Sequence, residues 1–219
     1  MRIRLTPTSL LHLVRRRQGM GTERVSIIKS ISFDQDEILQ NIVALHTGPI
    51  QADVTFGSGC FYKKSLPRPE LCFDLAPRKP GVIAADACRL PLKDGCLNSV
   101  MFDPPFMACT GPGASLKARF GEIVGTIQDL WNFYHAAMYE IRRVLKPGGY
   151  LVFKCQDGVL SGVNNFTHVK VANQAIAMGY IPKDIFILLA THRMRDPNHK
   201  RQVHARKYHS YFWVFKKRK

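Results

Sequence analysis

The sequence predicts an α/β fold in which short buried strands and amphipathic helices build one sheet with its covering layers. Three observations support this prediction. Short apolar or β-prone runs recur along the chain, three longer segments carry an apolar face at helical spacing, and glycines or acids directly follow the first four strands. Because ligands of open α/β sheets bind at the carboxyl ends of the strands, these polar residues predict a functional edge.

The order of the predicted elements follows from the spacing of apolar residues and from glycine and proline breaks. Helices are predicted over residues 34–46, 126–145 and 165–178. Strands are predicted over residues 51–56, 71–74, 82–86, 99–102, 150–153, 185–190 and 208–215. Residues 107–117 have little periodicity, and two interpretations remain open for them: a mobile loop that closes over a substrate, or a plain surface connection.

Composition sets the broad class of protein. A chain of 219 residues with 46% hydrophobic residues is long enough for one globular domain with a sizeable core. A net charge of +16 indicates a polyanionic partner such as nucleic acid, the alternative being a merely solvated basic surface. Six scattered cysteines without a C-x-x-C pair predict neither a zinc site nor a disulfide framework, and they are typical of a reducing, cytoplasmic location. No apolar run reaches the length of a membrane span.

The first 22 residues are set apart by five arginines and no acid. They can be interpreted as a targeting peptide, as a disordered basic arm, or as an extension ahead of a start at Met20. We expect a disordered arm over residues 1–22 and a single domain over residues 23–219.

A glycine turn and two acids mark the carboxyl ends of the first three predicted strands. The first strand runs into Gly57-Ser58-Gly59, where the chain turns tightly and lets a ligand approach the backbone, although a simple tight loop has the same pattern. Asp74 ends the second strand, and a carboxylate there suits the two hydroxyls of a ribose. Asp86 ends the third strand.

The fourth strand runs into Asp103-Pro104-Pro105-Phe106, the most specific motif of the chain. Two consecutive prolines stop the strand because neither has an N–H for the ladder. The turn then offers a carboxylate, a backbone carbonyl and an aromatic ring, which together fit a planar group that carries an amine. The alternative is a proline turn that happens to contain an aspartate.

In these two motifs the sequence resembles the class I S-adenosylmethionine-dependent methyltransferases, in particular the DNA methyltransferases that act on adenine N6 or cytosine N4. Residues 53–59 resemble that group's cofactor loop, Asp-Pro-Phe-x-Gly-Ser-Gly, with Val54 and Thr55 in place of the proline and phenylalanine and with Phe56 one place later. Residues 103–106 resemble its catalytic Asp-Pro-Pro-Tyr/Phe motif.

The resemblance implies a Rossmann-like, mostly parallel sheet of seven strands with an antiparallel last strand and helices on both faces. It implies S-adenosylmethionine as cofactor, with Asp74 on the ribose and Asp86 on the adenine amine. The implied cofactor-binding residues are Asp53, Thr55, Gly57, Ser58, Gly59, Asp74 and Asp86. The implied catalytic residues are Asp103, Pro104, Pro105 and Phe106.

The implied function is methylation of an exocyclic amine in DNA, on adenine N6 in preference to cytosine N4. Two alternatives stay open: an RNA base-amine methyltransferase, and a catalytically idle nucleic-acid-binding protein on the same fold. No separate target-recognition domain is predicted, so sequence specificity would come from a homodimer or another partner, or would be loose.

A basic segment between the last two predicted strands is the candidate nucleic-acid contact. Its cations are Arg193, Arg195, Lys200, Arg201, Arg206 and Lys207. They suit phosphate oxygens, and the alternative is a solvated loop. The histidines among them have no metal-ligand spacing, so no metal is expected.

Overall fold

The computed structural model describes residues 27–62, 64–109, 123–160, 162–192 and 201–219. The α-helices in these ranges are α1 (Gln35–Ile42), α2 (Ile127–Val144) and α3 (Thr167–Ala177). The strands are β1 (Ile31–Ser32), β2 (Ala52–Asp53), β3 (Leu71–Asp74), β4 (Ile83–Ala84), β5 (Leu97–Phe102), β6 (Ala108–Cys109), β7 (Ile123–Val124), β8 (Leu145–Cys155), β9 (Gly158–Leu160), β10 (Val163–Asn165), β11 (Tyr180–Leu189) and β12 (His209–Lys217).

Several predicted features lie outside these ranges. They are the basic arm over residues 1–22, most of the loop over residues 107–117, and three cations of the basic segment, Arg193, Arg195 and Lys200.

Eight of the described strands form one sheet in the order β1-β11-β12-β8-β5-β2-β3-β4. Neighbours in this sheet are parallel except where β12 pairs with β11 and with β8. The mostly parallel sheet with an antiparallel last strand is therefore confirmed. The predicted count of seven strands is wrong by one, because β1 joins the edge beside β11 with only two residues, too few to give a period-two pattern.

Helices cover both faces of the sheet, as predicted. On β5, Val100 and Phe102 pack into one core with α2 and α3, whereas Met101 between them packs into a second core with α1. Successive strand residues point to opposite faces, so one buried strand contributes to both cores. The apolar run over residues 100–102 of β5 is continuous because both of its faces are buried.

The start of α2 is fixed by a capping box between Thr126 and Asp129. The Asp129 amide donates to the Thr126 hydroxyl at 3.3 Å, and the Thr126 amide donates to the Asp129 carboxylate at 2.7 Å. The helix presents Leu130, Tyr134 and Ile141 to the core. Within the described ranges, no helix combines the length and the apolar character that crossing a lipid bilayer requires.

Candidate active site

The carboxyl ends of three neighbouring parallel strands bring Asp53, Asp74 and Asp103 together. Asp53 ends β2, Asp74 ends β3, and Asp103 directly follows β5, and these strands are adjacent in the order β5-β2-β3. Burial, with a smaller contribution from the nearby Asp103 and Asp74 carboxylates and opposed by hydrogen bonds from Thr55 and Tyr62, raises the pKa of Asp53 to about 7. The carboxyl edge of these three strands therefore carries one cluster of acids.

The glycine turn lies between these acids and is held by one of them. Gly57 and Gly59 both have positive φ, 54° and 67°, which glycine adopts without steric cost. The Gly57 amide donates to Asp74 Oδ2 at 2.7 Å, while the Ser58 side chain is exposed. The turn thus faces the same edge as Asp74.

Gly59 also lies against the ring of Phe56, because a Cβ at this position would stand 2.6 Å from Phe56 Cζ. The Phe56 ring is buried and stacks on Tyr62 with a centroid distance of 5.7 Å, so it has little room to move. The aromatic residue of this motif is therefore packed beneath the turn.

Substituting Gly59→Ala should lower the free energy of unfolding by about 2–4 kcal/mol, the sum of the positive-φ cost and of overpacking against Phe56. Gly57→Ala is the matched control, since its Cβ would meet only the Thr55 carbonyl at 3.9 Å, and it should cost about 1 kcal/mol. Denaturant titration of both variants measures the difference. Equal losses would show that the Phe56 contact is unimportant.

Asp53 supports the turn from below. Its side chain is only 2% exposed and accepts hydrogen bonds from the Thr55 amide at 2.9 Å and from the Tyr62 hydroxyl at 2.8 Å. Both carboxylate oxygens are therefore engaged with the turn's own residues.

Thr55 connects the glycine turn to the motif after β5. Its hydroxyl accepts a hydrogen bond from the Asp103 amide at 2.7 Å. The sequence predicted Thr55 only as a cofactor contact. No local pattern predicts its hydrogen bond with Asp103, because the two residues are 48 positions apart. Thr55 therefore fixes the backbone from which the Asp103 carboxylate projects.

Thr55→Val should reduce turnover about tenfold, because the isosteric side chain leaves the Asp103 amide without an acceptor, at a cost of about 1–3 kcal/mol. Thr47→Val is the control, since the Thr47 hydroxyl donates to the neighbouring Gly48 carbonyl, five residues after the end of α1. Steady-state kinetics of both variants measures the effect. Unchanged turnover in Thr55→Val would exclude this positioning role.

The two acids expected to hold the cofactor differ in exposure. Asp74 is half-buried, and its second oxygen accepts from the Ala76 amide at 2.9 Å. Asp86 is exposed, and its Oδ1 accepts from the Cys88 amide at 2.8 Å. Both carboxylates keep lone pairs that their backbone partners do not use.

The motif at residues 103–106 is held rigidly after β5. Pro104 is buried, and the Pro105 carbonyl accepts a hydrogen bond from the Tyr134 hydroxyl at 2.5 Å. Tyr134 is fully buried on α2, so this contact ties the turn to the helix behind it. The hydrogen bonds among the described residues include none to the Pro104 carbonyl.

Asp103 carries an unsatisfied acceptor. Its Oδ1 atom is buried and has no hydrogen-bond partner among the described residues. Burial raises the pKa of Asp103, and the Lys154 ammonium partly opposes this effect. A buried carboxylate oxygen without a donor is costly, so a donor from a bound group would be favoured there.

A cavity of about 380 Å³ opens beside Phe106. Its walls come from the start of α1 and from the ends of β8, β11 and β12, and they include Lys154. Phe106 is half-buried and turns its ring toward the Lys154 ammonium, 5.5 Å from the ring centroid. The sequence did not single out Lys154, because a lysine at the end of an apolar strand usually reaches solvent.

The described part of the basic segment lies at the start of β12. Arg201 and Arg206 are exposed, and the Lys207 ammonium lies 5.9 Å from the centroid of the exposed Phe166 ring. These cations are accessible to a polyanion.

The fold is shared with proposed methyltransferases of known structure. No family model and no curated protein matches the sequence. A proposed methyltransferase from Bacillus halodurans C-125 superimposes with a TM-score of 0.52 at 14% identity, over 83% of this chain and 97% of that one. TrmN from Thermus thermophilus gives 0.51 at 14% identity, over 83% of this chain and 48% of TrmN.

A proposed DNA modification methylase, also from Thermus thermophilus and solved with S-adenosylmethionine, gives a TM-score of 0.44 at 16% identity. The match covers 61% of this chain, which spans about half (51%) of the length of that methylase.

Proposed function

We propose that this protein is an S-adenosylmethionine-dependent methyltransferase that acts on an exocyclic amine of a nucleic-acid base, on adenine N6 in preference to cytosine N4 and in DNA in preference to RNA. The observation that carries the proposal is the buried Oδ1 of Asp103, which has no hydrogen-bond partner in the described part of the chain and lies at the edge of the sheet beside a glycine turn. An amine is the donor that this acceptor lacks.

The residues of the glycine turn fit the proposed cofactor, which when bound would supply an electrophilic methyl group. Gly57 is only partly buried in the turn, and Asp74, which accepts from the Gly57 amide, keeps acceptor capacity for ribose hydroxyls. Asp86, exposed just after β4, keeps acceptor capacity for an adenine amine beyond its hydrogen bond from the Cys88 amide. Asp53 and Thr55 support this arrangement from beneath.

Asp103 and Pro104 supply the chemistry that an aromatic amine needs. The lone pair of such an amine is delocalised into the ring, which makes it a weak nucleophile. Two acceptors, Asp103 Oδ1 and the Pro104 carbonyl, would take the two N–H bonds and localise the lone pair on nitrogen. Holding the reactants in line accounts for much of the remaining acceleration.

Phe106 provides a ring on which the target base can stack. Because Asp103 Oδ1 is buried, a base in a duplex must leave the helix to reach it. The net charge of +16 and the exposed Arg201 and Arg206 support a polyanionic substrate.

The test is transfer of labelled methyl from S-adenosylmethionine to duplex DNA, single-stranded DNA and RNA in parallel, followed by mass analysis of the nucleosides. N6-methyladenine in DNA is the expected product, and N4-methylcytosine would correct the base. Label only in RNA would favour the RNA base-amine alternative. A protein that binds nucleic acid but not S-adenosylmethionine would be the idle binder.

A further inference from the structure

A lysine ammonium lies in the interior of the protein beside Asp103. Lys154, near the end of β8, is 9% exposed. Its Nζ atom lies 4.9 Å from the ring centroid of Phe61, 5.3 Å from that of Phe212 and 5.5 Å from that of Phe106. Aromatic faces attract a cation, but they do not replace an oxygen or nitrogen atom as hydrogen-bond acceptor. The N–H donors of the ammonium therefore remain available.

The ammonium has more donors than partners among the described residues. It donates to Gln35 Oε1 at 2.9 Å, while Asp103 Oδ2 at 3.9 Å is too distant for a hydrogen bond. An ammonium carries three N–H donors, and burial without acceptors is unfavourable. Lys154 is also part of the wall of the cavity beside Phe106.

Two complementary groups therefore lie side by side, and one of them, Lys154, lines the cavity beside Phe106. Among the described residues, Asp103 Oδ1 has no donor and the Lys154 ammonium has one acceptor, Gln35, for its three N–H donors, while Asp103 Oδ2 lies 3.9 Å from Nζ. A ligand that satisfies both presents an N–H donor and a nitrogen lone pair side by side on one edge. An amine next to an unprotonated ring nitrogen has this pattern: adenine offers it on both sides of N6, and cytosine on one side of N4.

We propose that Lys154 is a positioning residue that donates a hydrogen bond to the ring nitrogen beside the target amine, and so aligns that amine with Asp103. The inference rests on the proposed methyltransferase function and deepens it by assigning the base edge that is recognised. The competing explanation is that Lys154 only neutralises Asp103.

The decisive experiment combines a substitution with an altered base. Lys154→Met removes the donors and keeps an unbranched apolar side chain, and Lys154→Arg keeps the charge. Each is assayed on oligonucleotides with adenine, 1-deazaadenine or 7-deazaadenine at the methylated position, because each deaza base replaces one ring nitrogen by C–H. If the product is methylcytosine, 3-deazacytosine takes this place.

We expect Lys154→Met to lower kcat/KM on the natural base by about 10- to 100-fold, the size of one hydrogen bond to a charged group. One deaza base should lower kcat/KM of the wild type by a similar factor and cause no further loss in Lys154→Met. Lys154→Arg should recover part of the activity on the natural base. If the losses from Lys154→Met and from every deaza base multiply, the proposal is wrong and Lys154 acts on Asp103 alone.

Lys216→Met is the matched control. The Lys216 ammonium lies 5.1 Å from the centroid of the Tyr150 ring, so the variant loses the same charge and the same kind of ring contact. In the pairing of β8 with β12, Lys154 lies opposite Phe212. Lys216 lies opposite Tyr150, at the other end of the same strand pair. Lys216→Met should leave the ratio of kcat/KM between the natural base and each deaza base unchanged. A changed ratio would overturn the assignment to Lys154.

Thermal unfolding and S-adenosylmethionine titration of each variant separate misfolding from loss of positioning, and Lys154→Arg keeps the test open if Lys154→Met does not fold. A wild-type protein that transfers no methyl to any substrate refutes the proposed function and this inference with it. An active wild type whose deaza losses are independent of Lys154 refutes only the inference.

Discussion

Asp103→Ala should reduce methyl transfer by roughly 10³-fold, the loss typical of removing a preorganised polar group from an active site. The variant removes the buried Oδ1 acceptor that would localise the lone pair of the amine. S-adenosylmethionine affinity should stay within about twofold, because Gly57 is held by Asp74 and not by Asp103. Single-turnover kinetics and calorimetric titration measure the two quantities.

The same variant should not be less stable than the wild type at neutral pH. The pKa of Asp103 is higher in the folded than in the unfolded protein. Ionisation of Asp103 therefore lowers the free energy of unfolding above the folded-state pKa. At low pH, where Asp103 is protonated in both the folded and the unfolded protein, it has no such effect. Removing the carboxylate therefore removes an unfavourable term. A lower melting temperature with a proportional loss of activity would indicate a structural role instead of catalysis.

The acidic limb of the rate profile should also lie at higher pH than for an ordinary carboxyl group, since Asp103 must be ionised to accept the amine. The groups that face it are the Asp53 carboxyl, the hydroxyls of Tyr62 and Tyr134, and the Lys154 ammonium. Lys154 lowers the pKa of Asp103, so Lys154→Met should move this limb to still higher pH. An unshifted limb would show that another group controls it.

Asp74→Ala has the second large expected effect, a loss of S-adenosylmethionine affinity of about 10- to 100-fold. The carboxylate orients the Gly57 amide and the Ala76 amide, and in the proposed function it also accepts from the ribose hydroxyls. Losing one such contact to a charged acceptor costs about 1.5–3 kcal/mol, and about 1.4 kcal/mol corresponds to tenfold in affinity.

Calorimetric titration of this variant is compared with Asp94→Ala, which removes the same charge from an exposed side chain paired with Arg143. Asp94 precedes β5 and so lies away from the carboxyl ends of the strands. The affinity of Asp94→Ala for S-adenosylmethionine should equal that of the wild type. Equal affinities in both variants would remove Asp74 from the cofactor site, whereas a loss in Asp74→Ala with unchanged kcat would place it there.

The sequence predicted the backbone turns and acids around the candidate site because these features depend only on neighbouring residues. The glycine turn, the acids at the ends of β3 and β5, and the proline stop after Phe102 are properties of neighbouring residues, so they can be recognised without the fold. The capping box of α2 and the apolar period of that helix are local in the same sense. Strand β1 has only two residues, too few to show a period-two pattern, and so the sheet has one strand more than predicted.

By itself, then, the sequence determined the fold class, the polar edge and the Asp103 motif, because periodicity and backbone restrictions act over a few residues. Only the tertiary structure decided which groups meet at that edge. Thr55 reaches the Asp103 amide, Tyr134 reaches the Pro105 carbonyl, and Lys154 comes to lie among three phenylalanine rings from different elements. These contacts join residues far apart in the chain, and their energies depend on burial, which the packing of both cores against the sheet creates.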